Sequence, residues 1–116
     1  MESRFTIVAV NGSPHAGIGN TAMMLEMLRP ALAENGLALE VIHLCDRDID
    51  YCIGCGVCME KGRCWIQDDH AGLVERLLAA DGVILASPVY FLQVTAQMKT
   101  FLDRSLAFGH KPRPRW

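Results

Sequence analysis

The stretch FTIVAVNGSP spans residues Phe5 to Pro14. Its first six residues, 5–10, are apolar or β-branched without alternation, which is typical of a strand buried on both faces of a sheet. The four residues that follow, Asn11-Gly12-Ser13-Pro14, are strong turn formers. We therefore predict a first buried strand that ends in a loop.

A helix follows this loop, and further strands and helices alternate after it. Asn20 or Thr21 is the predicted cap, and Asn35-Gly36 closes the helix. Pro30 lies inside the helical pattern, so we expect a kink or a break there. Downstream, the pattern predicts a strand over residues 37–44, a helix capped by Asp68 or Asp69, a strand over residues 83–86 and a helix over residues 94–107. The order β-α-β-α-β-α, with crossovers long enough for parallel pairing, predicts an α/β fold.

The composition is that of one small globular domain over residues 1–116. Of these residues 51% are hydrophobic and 21% are charged, a balance that is typical of a packed core and not of a disordered chain. The formal net charge of −2 gives no basis for binding nucleic acid or an anionic membrane. No stretch has the pattern of a targeting signal or a membrane span, so we expect the protein to stay in the cytoplasm.

The polar, glycine-rich segment over residues 11–21 is a candidate anion site. Backbone N–H groups and the positive end of the helix dipole converge there, and Ser13, Asn20 and Thr21 offer hydrogen bonds to a phosphate. The segment lacks the Gly-Lys-Ser/Thr ending of a triphosphate loop, which favours a monophosphate. We expect His15 to lie near the anion and not to act as a catalytic base. An ordinary loop, whose glycines and asparagine serve only as turn and cap, accounts for the same residues equally well.

Four of the five cysteines form a compact motif, Cys52-x2-Cys55-x2-Cys58-x5-Cys64. In a cytoplasmic protein, cysteines at this density are more often metal ligands than disulfides. Three cysteines at successive intervals of three residues, with a fourth nearby, favour an iron–sulfur cluster over zinc, because structural zinc sites usually take two ligand pairs held apart by a longer spacer. Free thiols in a loop are the remaining alternative. Cys45 stands apart and is predicted to be a buried small apolar residue.

The segment Ser87-Pro88-Val89-Tyr90-Phe91 follows the third predicted strand. With a strand order of 2-1-3, this loop lies beside the glycine-rich segment at the topological switch point, where open α/β sheets bind their ligands. A flat aromatic ligand could lie against Pro88-Val89-Tyr90-Phe91 and take hydrogen bonds from the backbone. The alternative is that these aromatic residues pack on the core.

Taken together, these segments resemble the NADPH-dependent FMN reductase group of flavodoxin-like proteins, and specifically the iron–sulfur flavoproteins within it. The similarity extends over residues 5–104. The matching pieces are Asn11-Gly12-Ser13-Pro14 with Gly19-Asn20-Thr21, the compact cysteine motif, Asp68-Asp69, and Ser87-Pro88-Val89-Tyr90-Phe91 followed by Gln97-Met98-Lys99 and Phe101-Leu102-Asp103-Arg104. The resemblance implies a flavodoxin-like parallel sheet in a three-layer α/β/α arrangement.

The resemblance also implies two cofactors, FMN and a [4Fe–4S] cluster. The FMN phosphate would bind Ser13, Asn20 and Thr21, with His15 and Gly19 in the same segment and the flavin ring against residues 88–91. The implied cluster ligands are Cys52, Cys55, Cys58 and Cys64. A homo-oligomer that passes electrons to or from a small partner of the NAD(P)H, ferredoxin or quinone class is the implied function.

The sequence departs from the family in its number of strands. A flavodoxin-like sheet has five strands, whereas this sequence reaches only the third βα unit, so that strands four and five are missing. Strand three is then expected to be a bare edge. We also expect one face of the last helix to lack part of its packing surface, namely Val94, Met98, Phe101, Leu102 and Leu106. Either the chain is a fragment or a partner subunit covers the gap.

Two other functions stay open at this point. One is a non-catalytic metal-binding or redox-sensing module that holds zinc or a labile cluster and no flavin. The other is a flavin or quinone reductase in which the cysteines bind nothing.

Overall fold

The computed structural model of the chain describes residues 5–106. Strands and helices alternate there as the sequence predicts. In chain order the elements are strand β1 (Phe5–Asn11), helix α1 (Asn20–Glu34), strand β2 (Leu37–His43), a 3₁₀ turn (Leu44–Asp46), helix α2 (Val57–Lys61), helix α3 (Asp69–Ala79), strand β3 (Gly82–Ala86) and helix α4 (Ala96–Arg104). The predicted helix end at residue 107 lies outside the described residues.

The three strands form one parallel sheet in the order β2-β1-β3, which confirms the predicted strand order. In the register, Val8 of the central strand lies between Glu40 of β2 and Val83 of β3. The last four residues of β1, 8–11, are all buried. This is the burial expected of a central parallel strand that is covered on both faces.

Helices cover both faces of the sheet, which confirms the three-layer α/β/α arrangement. Because side chains alternate along a strand, Val8 and Val10 point to one face and Ala9 to the other. On the first face, β1 packs with residues of α3 and α4 that include Leu73 and Met98. On the second face, β1 packs against α1 through a cluster that includes Leu25.

Helix α1 differs from the prediction at its start and at its proline. The helix begins at Asn20, and its N-cap is Gly19 with φ 98°, so the predicted cap of Asn20 or Thr21 is wrong by one or two residues. Gly19 turns the chain into the helix through its left-handed conformation, and its carbonyl accepts a hydrogen bond from the Met23 N–H. Pro30 lies inside α1 and does not divide it, since a proline removes only one backbone hydrogen bond.

Strand β3 is an edge of the sheet within residues 5–106. It pairs only with β1, and the side chains of Val83 and Leu85 on the α3–α4 face are 48% and 52% exposed. The expected bare edge is thus confirmed for the described part of the chain.

Helix α4 is better packed than the sequence predicted. Met98 and Phe101 are buried and Val94 packs against the core, which corrects the expectation for these three residues. The core between β1 and α3 already supplies their packing surface. Leu102 and Leu106 remain exposed, as expected. None of the described helices has the length and apolar character needed to cross a membrane.

Candidate functional site

The loop between β1 and α1, residues 12–19, is held by side chains at its start, and we call it the glycine loop. Asn11 is fully buried, and its Oδ1 accepts a hydrogen bond from the Ser13 N–H at 2.8 Å. The Asn11 Nδ2 donates to the Ala16 carbonyl at 3.1 Å. Ser13 Oγ in turn accepts from the His15 N–H at 3.2 Å. These bonds hold residues 13–16 close to Asn11 at the end of β1.

The predicted phosphate-binding residues share this loop and the first turn of α1, but they differ in exposure. Ser13 is buried, whereas His15, Gly19 and Asn20 are exposed and Thr21 is half-buried. Four of the five therefore remain accessible to a ligand from solvent. The fifth residue is Ser13, whose Oγ accepts a hydrogen bond from the backbone of the loop itself.

The glycine loop is fixed to α4 and β3 at Gly12. The Gly12 N–H donates to the Ala86 carbonyl at 2.8 Å, and the Thr95 Oγ1 donates to the Gly12 carbonyl at 2.6 Å. A Cβ on Gly12 would lie 2.9 Å from the Met98 Cβ, closer than real carbon contacts allow. Only glycine permits this approach of the loop to α4.

Thr95 joins the two predicted flavin-binding segments, and the sequence reasoning missed it. Its Oγ1 caps α4 by accepting from the Met98 N–H at 3.1 Å, and its own N–H donates to Ser87 Oγ at 3.0 Å. Together with the bond to Gly12, these contacts place the loop after β3 beside the glycine loop. The available signal was a threonine, a preferred N-cap residue, near the start of the last predicted helix.

The loop after β3 ends in a tight turn with an exposed tip. Tyr90 and Gln93 exchange two backbone hydrogen bonds of 2.8 and 3.1 Å. Phe91 and Leu92 between them have φ values of 43° and 67°, a left-handed pair that bulky residues rarely adopt. Phe91 is 97% exposed, and Val89 and Tyr90 are exposed as well. The alternative in which these side chains pack on the core is therefore wrong for this loop, and Pro88 alone is half-buried.

The cysteine motif contains a short helix that the sequence did not predict. Helix α2 begins inside the motif and carries Cys58. It is bracketed by Gly56 and Gly62, whose φ values of 77° and 72° are left-handed. These two glycines reverse the chain on either side of one helical turn. We call residues 51–67 the cysteine segment.

The four cysteines of the motif border one cavity. Its volume is about 300 Å³, and Trp65, Ile66 and Arg104 lie in its wall with Cys52, Cys55, Cys58 and Cys64. Cys55 is exposed and the other three are half-buried. Within residues 5–106, no group of three or more His, Cys, Asp or Glu side chains is arranged to hold a metal ion.

Cys55 accepts hydrogen bonds at its sulfur. The Trp65 Nε1–H donates to Cys55 Sγ at 3.2 Å. The Val57 N–H and this indole lower the pKa of the Cys55 thiol below its ordinary value. Donors to sulfur favour the thiolate, which is the form that binds metals.

Cys45 is not the buried residue that the sequence predicted. It lies in the 3₁₀ turn and is exposed, with its Sγ 3.7 Å from the Asp46 Oδ1. The turn buries Leu44 and directs the next side chain to solvent. Cys45 is also outside the set of residues that borders the cavity of the cysteine motif.

Asp68 and Arg104 form a buried ion pair beside the cysteine segment. Their side chains are 2% and 1% exposed, and two hydrogen bonds of 2.7 and 3.1 Å join the guanidinium to the two carboxylate oxygens. Asp68 also accepts from the backbone N–H groups of Asp50 and His70, and this second bond confirms its predicted role as cap of α3. Burial raises the pKa of Asp68, but these four hydrogen bonds outweigh it and lower the pKa to about 2.

His70 lies behind this ion pair. It is buried, and its ring centroid is 5.7 Å from that of Phe101. Burial and the nearby charge of Arg104 lower the pKa of His70 from 6.5 to about 4, against the opposing charge of Asp68. At neutral pH the ring is therefore uncharged.

The sequence matches known proteins along most of its length. The family model described as NADPH-dependent FMN reductase matches residues 5–115. An iron-sulfur flavoprotein of Archaeoglobus fulgidus is 47% identical over 105 residues, which cover 90% of this chain and 47% of that protein. An iron-sulfur flavoprotein of Methanocaldococcus jannaschii is 42% identical over 99 residues, which cover 85% of this chain and 51% of that protein. The chain thus spans about half the length of these relatives.

Two solved structures share the fold. RosB, solved with a bound 8-demethyl-8-formylriboflavin-5′-phosphate, has a TM-score of 0.69 at 20% identity, over 86% of this chain and 41% of RosB. A flavone reductase has a TM-score of 0.67 at 20% identity, over 95% of this chain and 38% of that protein. At this identity the likeness establishes the flavodoxin-like fold alone. Because the family model extends over nearly the whole sequence, the chain belongs to the NADPH-dependent FMN reductase family.

Proposed function

We propose that this chain is the cofactor-binding part of an iron–sulfur flavoprotein, an oxidoreductase that transfers electrons between a nicotinamide partner, FMN and a [4Fe–4S] cluster. The observation that carries the proposal is that the four cysteines of the motif border one cavity in a member of an FMN reductase family. The relatives named iron-sulfur flavoprotein, 47% and 42% identical to this chain, support the same function.

The cavity between the cysteines suits a cluster better than a single ion. Zinc needs four ligands that meet at one point, each thiolate about 2.3 Å from the metal. The four cysteines instead lie around a space of about 300 Å³. Cys52, Cys55, Cys58 and Cys64 would hold the cluster, which supplies one-electron chemistry when bound.

The proposed FMN site lies where the glycine loop meets the loop after β3. Ser13, His15, Gly19, Asn20 and Thr21 would bind the phosphate, aided by the positive end of the α1 dipole. Residues 88–91 would lie against the flavin ring, and the exposed turn at Phe91 leaves an aromatic face free for that contact. FMN supplies hydride and single-electron transfer when bound, so these residues need only bind, orient and exclude water.

A flavin reductase without a cluster is the second candidate. It is favoured by the lack of a metal-ion geometry at the four thiols within residues 5–106. In that case the family fold and the FMN site would be used and the cysteines would bind nothing.

Two expectations from the sequence stay predictions. One is that residues 1–116 form a single domain, and the other is that the protein is a homo-oligomer.

An anaerobic absorption spectrum, with iron, sulfide, zinc and flavin assayed on the same sample, tests both candidates. We expect flavin bands over a broad iron–sulfur absorption, with about four irons per chain as the cluster type requires. Cys58→Ser should lose iron and sulfide and keep flavin. Cys45→Ser is the matched control and should keep all three. Flavin without iron in the wild-type protein would support the second candidate, and zinc or no cofactor would contradict both.

A further inference from the structure

Arg104 connects the two ends of the cysteine segment. Its guanidinium donates to the Asp50 carbonyl at 2.9 Å, just before the first cysteine of the motif, and to the Ile66 carbonyl at 3.5 Å, just after the last. The bidentate contact with Asp68 fixes the guanidinium in place. One side chain of α4 therefore closes a loop of about sixteen residues.

Arg104 also has a buried donor without a partner. Its Nε makes no hydrogen bond within residues 5–106 and has almost no access to solvent. A buried unpaired donor is costly, and most such groups in folded proteins find an acceptor. The Nε–H is therefore free to donate to an acceptor in a neighbouring cavity.

The Arg104 side chain borders the cavity of the cysteine motif. Cys64 and the other three cysteines border the same cavity. Burial works against the charge of Arg104, yet the carboxylate of Asp68 and the sulfur of Cys64 together raise its pKa. The cation thus interacts with both a carboxylate and a cysteine sulfur.

We propose that Arg104 is a positioning residue for the iron–sulfur cluster: it holds the cysteine segment closed and presents a buried cation with a free Nε–H to the sulfur atoms at Cys64. The inference rests on the proposed function. Neither of these two roles depends on which electron donor or electron acceptor the whole protein uses.

Two consequences distinguish this role from simple packing. A buried positive charge favours the reduced cluster, which carries one more electron, so Arg104 should make the reduction potential less negative. A hydrogen bond to sulfur acts in the same direction. Closure of the segment should also slow the loss of iron.

The test uses the full chain reconstituted anaerobically with iron and sulfide. Arg104→Met removes the charge and all the donors, and Arg104→Lys keeps the charge but loses the planar guanidinium that bonds Asp50, Ile66 and Asp68 together. Arg29→Met is the matched control. Arg29 also pairs with a carboxylate and donates to a backbone carbonyl, but on the α1 face of the sheet. The measurements are the cluster potential, by dithionite titration, and the rate at which a chelator removes iron.

We expect Arg104→Met to have a more negative potential than the wild type. Both Arg104 variants should lose iron faster by about 10- to 100-fold, the usual effect of removing an outer-shell partner of a metal site. Arg104→Lys should keep a potential near that of the wild type, and Arg29→Met should match the wild type in both measurements.

The outcomes separate this inference from the proposed function. A wild-type chain that takes up no cluster contradicts the proposed function, and the inference falls with it. A loaded wild type whose Arg104 variants keep its potential and iron-loss rate contradicts the inference alone. Arg104→Met leaves Asp68 buried without its partner and can fail to fold. If Arg104→Met does not fold, the test rests on Arg104→Lys. An Arg104→Lys protein that loses iron at the same rate as the wild type would overturn the inference.

Discussion

At the scale of single residues, Gly12 and Thr95 fix the distance between the glycine loop and α4. Thr95 Oγ1 donates to the Gly12 carbonyl, and the Met98 Cβ is 2.9 Å from the place where a Gly12 Cβ would lie. The second contact requires a residue without a side chain at position 12, whereas the first uses only the backbone of that residue. Both contacts determine where the proposed phosphate-binding loop starts.

Gly12→Ala is therefore expected to lower the free energy of unfolding by about 1–3 kcal/mol, the usual cost of an extra carbon in a packed interior. The atoms that a Cβ would meet belong to Thr95 and to the rigid base of the Met98 side chain. Gly72→Ala in α3 is the matched control, since no atom lies within 4 Å of its Cβ position. It should raise the free energy of unfolding by about 0.5–1 kcal/mol, because alanine is the better helix former. Urea unfolding measures both changes, and a Gly12→Ala protein as stable as the wild type would contradict the close approach.

At the scale of elements, local sequence patterns predicted the strands and the longer helices. The apolar run of residues 5–10 has one structural interpretation, and the Asp68 cap precedes a clear helical repeat. Helix α2 was missed because a helix of five residues has too few positions to show a repeat. Helix α2 begins and ends at two glycines in the left-handed conformation, and in the sequence such glycines are equally typical of an irregular loop.

Contacts between distant elements could not be predicted in this way. Arg104 and Asp68 are 36 positions apart, and their pairing becomes visible only when α4 packs beside the start of α3. The same holds for Thr95, whose hydroxyl reaches Gly12 across 83 positions. The sequence thus predicted which segments bear the candidate ligands, and the fold adds the residues that hold these segments together.

The start of α3 should make stability depend on pH. His70 has a folded-state pKa of about 4, below its ordinary value of 6.5, so the folded protein resists protonation there and the unfolded chain does not. The free energy of unfolding should be constant above about pH 6.5 and fall between pH 6.5 and 4, by about 3 kcal/mol for a shift of this size. Asp68 has a lowered pKa as well, so its contribution is present above pH 4 and is lost as the pH falls towards 2.

His70→Gln removes the first of these two steps. We expect its free energy of unfolding to change little between pH 6.5 and 4, while the decrease below pH 4 remains because Asp68 and Arg104 are intact. Urea unfolding at several pH values between 3 and 8 gives both profiles. A wild-type profile that is flat down to pH 4 would contradict the burial of a neutral His70.

At the scale of the whole molecule, α4 separates the two proposed cofactor sites. Thr95 at its start belongs to the flavin side, and Arg104 at its end belongs to the cysteine segment. Nine helical steps place these residues about 14 Å apart along the axis. A short helix that is hydrogen-bonded at both ends keeps that separation constant.

The uncovered edge at β3 is the other feature of the whole molecule. Val83 and Leu85 expose apolar side chains on the same side as α4, and the outer backbone groups of β3 have no strand partner within residues 5–106. Exposed edges of this kind pair readily with other chains. In the relatives, about half of the protein lies outside the matched segment. The chain of 116 residues is therefore expected to self-associate through this edge.

Leu85→Lys tests that expectation by placing a charge on the exposed face of β3, where a lysine opposes pairing between edges. Light scattering should give a multiple of the monomer mass for the wild type and the monomer mass for Leu85→Lys. Met27→Lys is the matched control, since Met27 is also an exposed apolar residue but lies on α1, on the opposite face of the sheet. It should leave the association unchanged. A monomeric wild type would contradict the prediction, because the uncovered edge of β3 would then not cause self-association. If Met27→Lys abolished the association and Leu85→Lys did not, the interface would lie on α1.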